Sequence, residues 1–172
     1  MKRLITILTI LVLITGCNEP KATESLTADT PGFVLSDGNV EVKIGEDGTL
    51  LSLVNKETGH NYASGEGLWR MFYNTHQEKE MQIDGTENTP AVSQEGDVIT
   101  IAYRNISHRG KSLKMDLTLT VKLEDGAVRF GSVVSNNEPG TIIRELQYPL
   151  VGNMRLPEGH KLLTTHTGGQ VH

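Results

Sequence analysis

Leu113-Lys114-Met115-Asp116-Leu117-Thr118-Leu119-Thr120-Val121-Lys122-Leu123 carries an apolar residue at every odd position and a charged residue or Thr at every even one. A period of two is that of a β-strand with one face on a core and the other in water. Burying its six apolar side chains gains roughly 10 to 18 kcal/mol gross, at about 1.5 to 3 each. Ordering its eleven residues costs about 1 to 2 kcal/mol apiece in backbone entropy. The strand barely breaks even alone, so it needs neighbours on both sides and a second layer over its apolar face.

The flanking sequence supplies the neighbours. Downstream, Asp125-Gly126 fits a two-residue type I′ turn that sets Leu123 opposite Val128, Val121 opposite Phe130 and Leu117 opposite Val134. Upstream, Ile99, Ile101 and Tyr103 alternate in the same way. A three-residue loop of His108, Arg109 and Gly110, with Gly110 left-handed, would set Tyr103 opposite Met115, Ile101 opposite Leu117 and Ile99 opposite Leu119. His108 is then a residue of the loop tip. Ile99 to Ser135 is predicted as a three-stranded antiparallel meander with one apolar face.

The covering layer is sought on either side of the meander. Val40, Val42 and Ile44 alternate with charged residues and run into Glu46-Asp47-Gly48. A type I′ turn centred on Asp47-Gly48 places Ile44 opposite Leu51 and Val42 opposite Leu53, all on one face. Gly67 to Tyr73 is apolar almost throughout and fits a buried strand or a short helix; its aromatic content favours the strand. Trp69, the one Trp, lies inside that run, which points to core packing rather than to stacking on a sugar. Met81 and Ile83 make a brief strand, Pro90 argues against a central strand near it, and Thr141 to Leu150 reads as another strand. The predicted fold class is all-β, an antiparallel β-sandwich of supersandwich type, incomplete at the C-terminus.

The N-terminus has its own pattern. Lys2 and Arg3 precede a twelve-residue apolar run, Leu4 to Thr15, that closes on Ile14-Thr15-Gly16-Cys17. The run is short for a bilayer span, which needs about 20 residues, and suits the apolar region of a signal peptide. The closing residues resemble the lipobox of bacterial lipoproteins, which implies cleavage before Cys17 and lipidation of Cys17. The expected organisation is a signal peptide over 1–16, a flexible tether over 17–32 rich in Thr, Pro and Glu, and a β-sandwich domain over 33–172. The implied location is the bacterial cell envelope, held at the membrane by lipid on the extracytoplasmic side. Removing 1–16 takes away two positive charges and moves the net charge from −5 to −7. So acidic a domain is a poor nucleic-acid binder.

Chemistry-bearing motifs are scarce. The sequence has no Gly-rich phosphate loop, HExxH, paired Cys or GxSxG. His160, His166 and His172 recur every six residues, but Gly168-Gly169 interrupts any common face, and they read as exposed residues rather than a metal site. Glu145 beside Arg144 reads as a solvated or ion-paired rim residue, and no spacing among the carboxylates marks a glycosidase pair. No catalytic residue, metal ligand or cofactor is predicted, and carbohydrate-binding residues cannot be named.

Three segments carry a resemblance. Glu46-Asp47-Gly48-Thr49-Leu50-Leu51-Ser52-Leu53-Val54-Asn55-Lys56-Glu57-Thr58-Gly59 resembles the opening of the galactose-mutarotase-like supersandwich domains that precede catalytic barrels in bacterial glycoside hydrolases. Gly67-Leu68-Trp69-Arg70 is similar to their Leu-Trp strand, and Ile142 to Pro149 with Leu162-Leu163 and Gly168 to their exit. The resemblance implies a carbohydrate-associated N-terminal module, inactive alone, whose catalytic carboxylates belong to a (β/α)₈ barrel missing here; the chain is then truncated before that barrel. A stand-alone surface lipoprotein whose sandwich binds a glycan or a protein is the alternative.

Overall fold

The computed structural model describes residues 31–152 apart from 64 and 66, together with the backbone of 163–164 and 170–171. Cys17, the signal and most of the tether, Leu162, and the three His of the C-terminal stretch lie outside the described residues.

The architecture is all-β and antiparallel, consistent with a β-sandwich. One sheet holds β1 (Gly32–Ser36), β2 (Val40–Gly45), β3 (Leu50–Asn55) and β4 (His60–Asn61) in sequential order. A second has the order β13-β5-β6, from β5 (Arg70–Thr75), β6 (Met81–Asp84) and β13 (Thr141–Gln147). The third contains the opening stretch. Its order is β12-β11-β8-β7, from β7 (Ala91–Glu95), β8 (Val98–Tyr103), β11 (Met115–Glu124) and β12 (Ala127–Asn136). A ribbon of β9 (Ser107–His108) and β10 (Lys111–Ser112) extends the β8–β11 connection, and β14 (Leu163–Thr164) pairs with β15 (Gln170–Val171).

β11 sits in the interior of its sheet, and Met115, Leu117, Leu119 and Val121 are each 0% exposed. One core joins them to Val42, Ile44 and Leu50 of the first sheet and to Met71, Tyr73 and Ile83 of the second. The covering layer is thus two sheets rather than one. The meander also gains a fourth strand, β7, which lies at the sheet edge directly after Pro90, where a missing N–H is tolerated.

The three hairpins compare instructively with their sequence patterns. At Asp125-Gly126 both residues have positive φ, 52° and 73°, and the pairs Leu123–Val128, Val121–Phe130 and Leu117–Val134 all form as expected. At the β2–β3 hairpin only Gly48 is left-handed, with φ 80°, and Gly45 N–H donates to Thr49 O at 2.8 Å. The loop is therefore the three residues Glu46-Asp47-Gly48, and Ile44 faces Leu50 rather than Leu51. A bulge at Leu51 then takes the extra residue back, so Val42 still faces Leu53. Gly48 is required there for a second reason. A Cβ on it would fall 2.5 Å from Tyr103 Oη and 2.9 Å from Pro90 Cγ, so the turn lies directly on β8.

The β8–β11 pairing corrects the sequence reading. Leu117 faces Tyr103, Leu119 faces Ile101 and Val121 faces Ile99, two residues away from the expected register. The cause lies in the ribbon. Its turn has two residues, Arg109 and Gly110 with φ 50° and 75°, and Asn105 at φ 49° takes up an irregular position below it. Asp116 Oδ1 accepts the Asn105 N–H at 2.9 Å and holds that kink. A shift of two leaves every side chain on its predicted face, which is why the apolar pattern could not distinguish the two registers.

Across β5 and β6, Arg70 Nε lies 2.6 Å from Asp84 Oδ1, and Gln82 donates to Asp84 Oδ2 at 2.8 Å. Burial alone would raise the Asp84 carboxyl, but the Arg70 and Gln82 hydrogen bonds and the Arg70 charge bring it below its ordinary value of 3.8. A carboxyl lowered in the folded state adds stability above its unfolded pKa and loses it as pH falls through the folded one. Both side chains are about one-third exposed, so solvent screening limits the pair to about 0.5 to 1 kcal/mol. Asp84→Asn is expected to lower stability by that amount at pH 7 and by almost nothing at pH 2, read from urea unfolding at the two pH values.

Candidate functional site

The most highly functionalised concavity among the described residues is a cleft of about 470 Å³ at the end of β5, walled by the β9–β10 ribbon and the loop before β13. Each wall is held by local chemistry. Thr75 Oγ1 accepts the N–H groups of Gln77 and Glu78 at 3.2 and 2.9 Å, a tight turn that projects His76 and Glu78. On the ribbon, Arg109 Nη1 reaches to 3.4 Å from Glu78 Oε1. On the third wall, Glu138 Oε2 accepts the Lys114 N–H at 2.8 Å. Gly140, with φ 67°, approaches His76 so closely that a Cβ would lie 2.6 Å from its ring.

Tyr73 and His108 form the floor. Their rings meet edge to face at 5.9 Å, and the His108 side chain is 8% exposed. Neither ring nitrogen of His108 has a hydrogen-bond partner among the described residues; Nδ1 lies 3.4 Å from Glu87 Oε2 without the geometry of a bond. Asn88 sets this arrangement, since its side chain accepts the Ser107 N–H at 2.7 Å and donates to Ser107 O at 3.1 Å, fastening the segment after β6 to β9. Burial raises the Tyr73 phenol; Arg109 opposes this, and Glu78, Glu138 and Glu87 add to it. Tyr73 is accordingly a neutral hydroxyl in this cleft rather than a base.

The cleft balances Arg109 and Lys111 against Glu78 and Glu138, with Leu113 and Met81 among its apolar lining. Mixed donors and acceptors of no net charge suit a neutral hydroxylated molecule better than a strong ion. Among the described residues no group of three or more His, Cys, Asp or Glu is placed to hold a metal ion.

His108 is the residue that the sequence placed wrongly. It is not at a loop tip: it pairs with Lys111 within the ribbon and turns inward. The available signal was the step from Ile106, 0% exposed, to His108 two residues on, an inward alternation broken by exposed Ser107. Trp69 is in the core, 0% exposed, as its surroundings in sequence implied. Arg144 and Glu145 are both exposed, at an irregularity in β13, and line an open depression with Lys79, Glu80 and Phe72 on the face away from the core.

A scan against protein families finds no match to this chain, and a search of curated proteins finds none either.

Proposed function

We propose that this chain is a non-catalytic, carbohydrate-associated β-sandwich module of a lipid-anchored envelope protein, which works beside a glycoside-hydrolase-type catalytic domain and helps to shape its glycan cleft. The observation that carries this reading over a stand-alone glycan binder is the fate of the aromatic rings. The one Trp, four Tyr and three Phe are all buried or half-buried, and none stands exposed as a platform on which a sugar could stack. Six of the rings, Phe33, Trp69, Tyr73, Tyr103, Phe130 and Tyr148, pack in or against the core, and the other two, Tyr62 and Phe72, are half-buried at separate depressions. The neutral, mixed donor–acceptor cleft at Tyr73 and Arg109 is compatible with a subsidiary contact to a hydroxylated ligand. Membrane attachment rests on the lipobox-like segment ending in Cys17.

A panel of oligosaccharides titrated into the purified chain, followed by NMR and by product analysis, tests the proposal. The module reading expects no hydrolysis and contacts no tighter than the millimolar range, confined to the cleft. Turnover, or affinity in the low micromolar range, would refute it. The reading frame beyond the codon for His172 supplies a second test: continuation into alternating strand and helix patterns supports a catalytic neighbour, and a stop followed by an unrelated gene removes it.

A further inference from the structure

The third sheet has two edges, and they are built differently. β7 is five residues long and follows Pro90, a device that discourages further pairing. β12 is ten residues long, contains no Pro, and carries a single charge, Arg129, near its start. Its hydrogen-bond phase follows from the two-residue turn at Asp125-Gly126 and from the bond of Asn137 N–H to Lys114 O at 2.8 Å. Odd-numbered residues of β12 therefore bond to β11, and the N–H and C=O groups of Val128, Phe130, Ser132 and Val134 point away from it. No backbone bond among the described residues takes up these outward groups. Their side chains form the inner row of the strand, where Val128, Phe130 and Val134 are only half-buried, and Phe130 and Val128 rim an open groove of about 290 Å³ beside Leu53 and Tyr62.

We propose that β12 pairs with β12 of a second copy of this chain, antiparallel about a two-fold axis through Ser132. Self-complementarity selects this occupant. With Ser132 on the axis, the outward groups meet as Ser132 with Ser132, Phe130 with Val134 and Val128 with Asn136, so two symmetry-related Phe130–Val134 contacts supply the apolar part of the junction. On the outer face Val133, 70% exposed, falls beside Gly131 of the other copy, which has no side chain of its own and is overlaid by the Thr120 hydroxyl. Arg129 falls beside Ser135, so the one charge of the strand never meets its like, and Arg129 keeps its 2.9 Å pair with Glu124. The pairing makes one continuous eight-stranded sheet and brings each groove against the inner row of the other copy. It is independent of the functional reading above.

The mass of the purified chain in solution tests this at a concentration on the order of 100 μM, where a small interface of micromolar Kd is occupied. Twice the monomer mass is expected. Ser132→Pro removes one outward N–H and leaves the β11 bonds intact, and is expected to weaken association by about tenfold or more. A monomer at that concentration, or a dimer unaffected by Ser132→Pro, overturns the proposal. Should that variant fail to fold, Ser132→Cys replaces it, since directly opposed residues of a hydrogen-bonded pair lie about 5.5 Å apart, within disulfide reach. Oxidation is expected to link Ser132→Cys chains but not Ser93→Cys chains, which carry the thiol on β7. Equal linking of the two overturns the two-fold through Ser132.

Discussion

Trp69→Ala is expected to lower the free energy of unfolding by about 3 to 5 kcal/mol, a large share of the roughly 5 to 15 kcal/mol that a domain has available. The indole is 0% exposed and meets Tyr103 edge to face at 5.1 Å, joining the second sheet to the third. On its other side the backbone of Gly85 lies so close that a Cβ there would be 2.8 Å from Trp69 Nε1, and Gly85 N–H donates to Trp69 O at 2.9 Å. Backbone on one face and a sheet on the other leave little freedom to close the cavity. Trp69→Phe is expected to recover more than half of the loss. It keeps a ring to meet Tyr103, so most of the packing is retained and mainly volume is given up. Urea unfolding followed by circular dichroism measures both variants. A folded, equally stable Trp69→Ala chain that had lost a sugar affinity would show that the ring works at the surface, against its burial.

What the sequence disclosed, and what it hid, divides along one physical line. Period-two alternation determines which face a side chain occupies, and for β11 it gave the inward set Met115, Leu117, Leu119 and Val121 without error. Alternation is blind to a shift of two, which is the amount by which β8 departs from the expected register. Turn chemistry fixes register only where the turn leads straight into the ladder, as Asp125-Gly126 does. At the β2–β3 hairpin, Asp-Gly signalled the turn correctly, but Gly48 alone adopted the left-handed conformation and a bulge absorbed the difference. The cleft was the least legible feature. It is assembled from Tyr73 and Glu78 at the end of β5, His108 on the ribbon and Glu138 before β13, and only long-range pairing brings these three segments together. Its key residue was assigned to solvent because the length of the ribbon turn was misjudged by one.

Leu119→Ala is expected to cost about 2 to 5 kcal/mol, with the same unfolding measurement as its check. Leu119 stands at the centre of the stretch that organises the fold, 0% exposed, flanked by Ile101 on β8 and by Ser132 on β12. The two neighbours decide where in that range the cost falls. Ile101 is itself fully buried and held under the Gly48 turn, whose Cβ position is 3.3 Å from Ile101 Cγ2, so it is poorly placed to move into the space. Ser132 is too small to fill it and, in a chain dilute enough to leave β12 unpaired, would instead admit water from the edge of the sheet. Partial filling by water relieves less than a packed methyl group would, which places the cost in the upper half of the range. Lys122→Ala, exposed and on the opposite face of the same strand, loses only its 2.9 Å surface pair with Glu124 and should change stability by less than about 0.5 kcal/mol. A large cost at Leu119 beside a negligible one at Lys122 is the energetic form of the alternation from which the fold was read; similar costs at both positions would mean that this strand does not present one face to the core.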